Sequence, residues 1–134
     1  MQKFYDKNGV LLHQIHRKLE FERRKNLSGN DQFLQCASIK MNLEDTFIPH
    51  KHVWKDVSYK TTIAQESWVV IQGSVKVFLY DLENKLIAEE ILQQGDASFT
   101  FQGGHNYLSL ENDTLVYEFK TGPYEGVQND KKHF

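Results

Sequence analysis

The chain has 134 residues, 25% of them charged and 40% hydrophobic, with a formal net charge of −2. That length holds one domain with a core of its own, and near-neutrality argues against a general nucleic-acid binder. No apolar run is long enough to span a bilayer, Met1-Gln2-Lys3-Phe4-Tyr5-Asp6 is not the apolar segment of a secretory signal, and Cys36 has no second cysteine to pair with; the expected location is the cytoplasm.

Taken in chain order, the first element is a hairpin. Phe4-Tyr5 and Val10-Leu11-Leu12 flank Asp6-Lys7-Asn8-Gly9, and Asn-Gly is a strong hairpin signal. Across 13–25 the pattern is two-sided: Leu12, Ile15 and Leu19 fit helical spacing, while Ile15, Leu19 and Phe21 fit strand parity. Strand and loop is the reading adopted. Arg17-Lys18 and Arg23-Arg24-Lys25, interspersed with Glu20 and Glu22, read as a solvated face in preference to a phosphate grip. His13, His16 and His133 lack ligand-like neighbours in sequence and read as surface residues. Leu27-Ser28-Gly29-Asn30-Asp31 is a turn cluster, 33–41 alternates as a strand, and 42–46 is a polar connection.

Beyond Phe47 the chain becomes a succession of short strands, expected at 47–52, 59–64, 66–72, 75–81, 86–92, 97–101, 106–110 and 114–120. Their breaks fall at Gln72-Gly73-Ser74, Glu83-Asn84, Gly95-Asp96, Gly103-Gly104 and Asn112-Asp113, which is the pattern of an all-β barrel or sandwich. If Glu66 faces the lumen, parity places Trp68 and Val70 inside with it. On the following strand Val75, Val77 and Leu79 share one face and Lys76, Phe78 and Tyr80 the other. Apolar area is left over whichever face points outward, so a homodimer is expected. Gly122-Pro123 ends the last strand and leaves a polar tail.

Four residues point to metal chemistry. In an extended segment side chains at i and i+2 share a face, so His50 and His52 point into the same space. Glu66 and His105, on two other strands, would complete a set of three imidazoles and one carboxylate. Such donors suit one divalent transition metal (Fe, Mn, Ni or Zn) and leave open positions on a six-coordinate ion.

His50-Lys51-His52, Glu66 ahead of Gly73, and Gly95-Asp96 leading to Gly103-Gly104-His105 resemble the two motifs of the cupins. The similarity runs from about Lys40 to Phe134, with Glu44 where the family commonly has Gly and Phe101 where it has Pro. What it implies is a double-stranded β-helix, the cupin or jelly-roll barrel: a single domain over 1–134, with an N-terminal hairpin extension in 1–39, a barrel over 40–122 and a tail over 123–134. It also implies His50, His52, Glu66 and His105 as ligands. The family's usual shorter gap after the second His would choose Asp56 as the carboxylate; Glu66 is preferred because its strand leads into a tight Gly73-Ser74 hairpin, and Asp56 precedes a loop. With Thr121-Gly122-Pro123-Tyr124, the chain is similar to small cupins associated with cell-surface polysaccharide biosynthesis.

The function expected is that of a metal-binding cupin that acts on, or binds, a sugar-derived small molecule such as a sugar or sugar nucleotide. The metal would be a Lewis acid in isomerase- or epimerase-like chemistry; a dioxygenase-like Fe(II) cupin and a non-catalytic binding or scaffold cupin are the alternatives. Trp68, Tyr59, Lys60 and Tyr107 are the candidate substrate contacts, and no residue is assigned a catalytic role.

Overall fold

The computed structural model describes residues 1–54, 61–122 and 126–134. The expected N-terminal hairpin is there: β1 (Gln2–Tyr5) pairs antiparallel with β2 (Leu11–His16). Asp6 closes its turn by accepting from the backbone N–H groups of Asn8 and Val10, each at 2.8 Å. A 3-10 turn (Lys18–Glu20) and the two-residue strands β3 (Lys25–Asn26) and β4 (Ala37–Ser38) follow. The strand expected over 33–41 is thus only two residues long, and no strand forms over 47–52.

From Glu66 the strands come as the alternation demands: β5 (Glu66–Gln72), β6 (Ser74–Tyr80), β7 (Leu86–Gln93), β8 (Ala97–Thr100), β9 (Gly104–Ser109) and β10 (Leu115–Lys120). They form antiparallel sheets ordered β1-β2-β8-β5-β10 and β7-β6-β9, with β3-β4 apart as a short pair. The chain is all-β.

Gly73 corrects one expectation. β5 and β6 lie in different sheets, so Gly73 makes a corner between sheets and not a hairpin. Its φ of +76° is the left-handed conformation that suits glycine, and a Cβ there would lie 2.5 Å from Thr114 Oγ1. The links β7–β8, β8–β9 and β9–β10 also change sheet, whereas β6–β7 is a hairpin within one.

The two larger sheets meet through Ile15, Val70, Val75, Val77, Leu79 and Leu92, all buried. Val75, Val77 and Leu79 are the inward face of β6 and Lys76, Phe78 and Tyr80 the half-buried outward one, as parity requires. On the other side of the five-stranded sheet, Leu27 from the 17–41 excursion packs with Ala97, Phe99 and Phe101. This cover buries β2 on both faces, which is why His13 and His16 are fully enclosed and not at the surface. Gln14, opposite Phe99, hydrogen-bonds to the Leu27 carbonyl.

The basic cluster is also more than a solvated face. Arg17 donates to Asp96 and Glu90, each at 3.0 Å, and to the Ile91 carbonyl at 2.5 Å. Asp96 in turn accepts from the Lys18 and Gln93 backbone N–H groups. Its planar fork lets one guanidinium hold the end of β2 to the β7–β8 turn.

Candidate functional site

At one end of the inter-sheet core the apolar side chains give way to a cavity of about 610 Å³. Alternation puts Glu66 and Trp68 of β5, Thr100 of β8, and His105 and Tyr107 of β9 on its walls; residues 131–134 close another side. Sheet register sets the depth of each group. Glu66 is opposite both Thr100 and Lys120, and His105 is opposite Leu79, so polar residues occupy the cavity end of strands whose other inward positions are core.

Glu66 is the hub. It is 5% exposed, and its Oε1 accepts from Trp68 Nε1–H at 3.0 Å and from His105 Nε2 at 3.0 Å. Lys131 Nζ lies 3.8 Å from Oε2. Burial pushes the Glu66 carboxyl upward, but the His105 hydrogen bond and charge, the Lys131 ammonium and the Trp68 N–H together hold it below the usual carboxylate range. It is therefore ionised at neutral pH. A carboxylate can only accept, so His105 Nε2 carries the proton of this pair, and the buried Nδ1 of the same ring has no partner among the described residues.

Trp68 and Tyr107 stack face to face, ring centroids 3.9 Å apart and planes within 4°. The phenol of Tyr107 shares a 2.8 Å hydrogen bond with Ser98, and burial pushes its pKa well up, which keeps it protonated. Behind Thr100 and outside the cavity lining, His13 is held from both ends. Its Nε2 donates to the Tyr80 carbonyl at 2.8 Å, and its Nδ1 accepts from Thr100 Oγ1–H at 3.1 Å. Burial, against the help of that carbonyl, lowers its pKa to about 4, so the ring is neutral.

The structure brings together Glu66, His105, Trp68 and Tyr107. It does not bring His50 or His52 to them. Both lie in the exposed 47–54 segment, outside the cavity walls, with Ile48 87% and Trp54 103% exposed beside them. Their rings still meet edge to face at 5.4 Å, and His50 Nδ1 donates to the Ile48 carbonyl at 2.9 Å. The i, i+2 argument holds for their proximity, but among the described residues no strand pairs with this segment to aim them inward. Tyr59, Lys60 and Asp56 lie outside the described residues. Among the described residues no three His, Cys, Asp or Glu side chains gather in the manner of a metal site. Tested as a metal centre, the cavity thus supplies two suitable donors, Glu66 and His105, of the expected four.

Sequence reasoning missed His13, Thr100 and Lys131. The signal for His13 was present: Leu11-Leu12-His13-Gln14-Ile15-His16 is a strand's length without a formal charge, the mark of a strand covered on both faces. Lys131 had none, since it reaches Glu66 across the fold from a polar tail.

No protein-family model, curated protein or solved structure matches the chain.

Proposed function

We propose that the chain is a cupin-like small-molecule-binding protein whose inter-sheet cavity takes a sugar-derived ligand. The observation that carries this reading is the ionised, buried Glu66 bonded to His105 beside the Trp68–Tyr107 stack, all facing one cavity. Aromatic faces suit the apolar faces of a sugar ring, and a buried carboxylate suits its hydroxyls. The repeated passage of consecutive strands between sheets supports the double-stranded β-helix as the finer description of the fold.

In this reading Glu66 and His105 form an acid–base pair. The carboxylate is poised to accept a proton from a ligand hydroxyl or from a carbon beside a carbonyl, and His105 Nε2–H can donate to a developing oxyanion. Thr100 and Tyr107 supply polar groups to the cavity wall, and neutral His13 positions Thr100 from behind it. A divalent transition metal belongs to the same proposal: Glu66 and His105 would supply two donors, and His50 and His52 the others from the 47–54 segment. Such an ion, when bound, supplies Lewis-acid polarisation of a carbonyl or hydroxyl oxygen. A cytoplasmic homodimer working in surface-polysaccharide or nucleotide-sugar metabolism completes the proposal. Non-catalytic binding is the second reading, favoured by the engagement of the Glu66 carboxylate with three partners already.

Metal titration of tag-free protein tests the site. The expected result is one divalent ion per chain, with His105→Ala and His50→Ala each weakening affinity by about tenfold or more. Binding of no ion by the wild type would overturn the metal. Retention of full affinity in His50→Ala with loss in His105→Ala would remove the HxH pair from the site.

A further inference from the structure

Residues 128–133 read in sequence as a polar tail, yet in the structure 131–134 form a wall of the cavity. Phe134 packs edge to face on Tyr80, with centroids 5.2 Å apart. It also seats against Gly104: a Cβ there would lie 2.6 Å from Phe134 Cζ and 2.8 Å from Cε1. Gly104, unlike Gly103, has no positive φ, so the backbone does not require glycine at this position. The close approach of the Phe134 ring does favour it, since a Cβ would push that ring aside.

With Phe134 so anchored, Lys131, Lys132 and His133 are delivered to the cavity. Lys120 of β10 faces it from the opposite wall, so three ammonium groups meet two carboxylates, Glu66 and Glu118, among the described lining residues. Lys131 pairs with Glu66, which Trp68 and His105 also engage, and no ion pair holds Lys132 among the described residues. A sugar ring against the Trp68–Tyr107 stack would thus have a positively charged flank beside it.

We propose that residues 131–134 form an anion-recognition wall: Phe134 packs on Tyr80 over Gly104, and Lys132 with His133 selects ligands that carry a carboxylate or phosphate group. The inference rests on the ligand-binding reading of the cavity and adds the chemical class of the ligand. It accounts for Gly104, which the turn geometry does not, and for the placement of Lys131 and Lys132 beside the cavity.

The experiment is calorimetric titration at low ionic strength with a neutral hexose, the corresponding hexuronic acid, the hexose 1-phosphate and inorganic phosphate. The two sugar acids separate carboxylate from phosphate as the source of charge, and inorganic phosphate reports anion binding without a sugar. The expected result is tighter binding of at least one sugar acid than of the hexose, with Lys132→Gln weakening that acid about three- to tenfold while the hexose changes little. Raising salt should narrow the difference. Phe134→Ala should weaken the acid as well, and Gly104→Ala added to it should cost little more, because both changes break one contact. Equal binding of hexose and sugar acids, or an unchanged acid affinity in Lys132→Gln and Phe134→Ala, would overturn the anion wall and leave the sugar cavity standing. Binding of none of the four probes would overturn both.

Discussion

His13 sits between a hydroxyl and a carbonyl, and that pairing gives the fold a built-in sensitivity to acid. The unfolded chain would bind a proton on this ring near pH 6.5, whereas the folded chain resists until about 4 because burial outweighs the Tyr80 carbonyl. A depressed histidine pKa means that the unfolded state takes up the proton first, so stability falls as pH drops through this window. The difference is about 3 kcal/mol when complete. Burial, with help from the Lys25 and N-terminal charges, lowers His16 as well and adds in the same direction. Urea denaturation between pH 7 and 4 should show this loss, and His13→Gln should flatten the curve even though its stability at pH 7 falls. Parallel curves for variant and wild type would show that other groups carry the acid response.

At the scale of elements, the corners decide the architecture. Gly73, at φ +76° and pressed against Thr114, turns the chain from one sheet into the other. Gly73→Ala would meet both the left-handed backbone and the Thr114 Oγ1 at 2.5 Å, so it should cost more than about 1 kcal/mol. Thermal or urea unfolding measures it, and a neutral substitution would mean that the corner can relax. The strands from Glu66 onward were legible because alternation and turn residues agree: Val75, Val77 and Leu79 are buried where parity puts them. Over 33–41 only Ala37–Ser38 find a partner, in β3, and over 47–52 none is found among the described residues; alternation becomes strand only where a neighbour pairs with it. The Gly73 corner resembles a hairpin in sequence because both need the same glycine conformation.

For the molecule as a whole, the cavity was legible only where strands carry it. The resemblance drew attention to Glu66 and His105, parity placed Trp68 beside Glu66, and Tyr107 stood only as a candidate aromatic contact; the burial of His13 was readable in its uncharged strand, while Lys131 depends on a tertiary approach that no local pattern encodes. The leftover apolar face is also placed differently. On β6 the outward side is partly covered, with Lys76 paired to Glu89 and lying over the Phe78 ring. On β10, Tyr117 and Phe119 are 62% and 54% exposed along one face, beside Ile71 at 39%. If the proposed homodimer uses this row, light scattering should give twice the chain mass at micromolar concentration, and Tyr117→Lys with Phe119→Lys should return the monomer mass. A wild-type monomer would discount the face. The stacked Trp68 also makes the cavity optically self-reporting. Of the two tryptophans in the chain, Trp54 is fully exposed, whereas Trp68 lies on Tyr107 and donates its ring N–H to Glu66. In a Trp54→Phe variant all the indole emission would come from the site. A guest sliding against that ring, or an ion drawing Glu66 away from it, should then shift the colour or yield of the emitted light, and the cavity could be watched filling in real time without any attached dye.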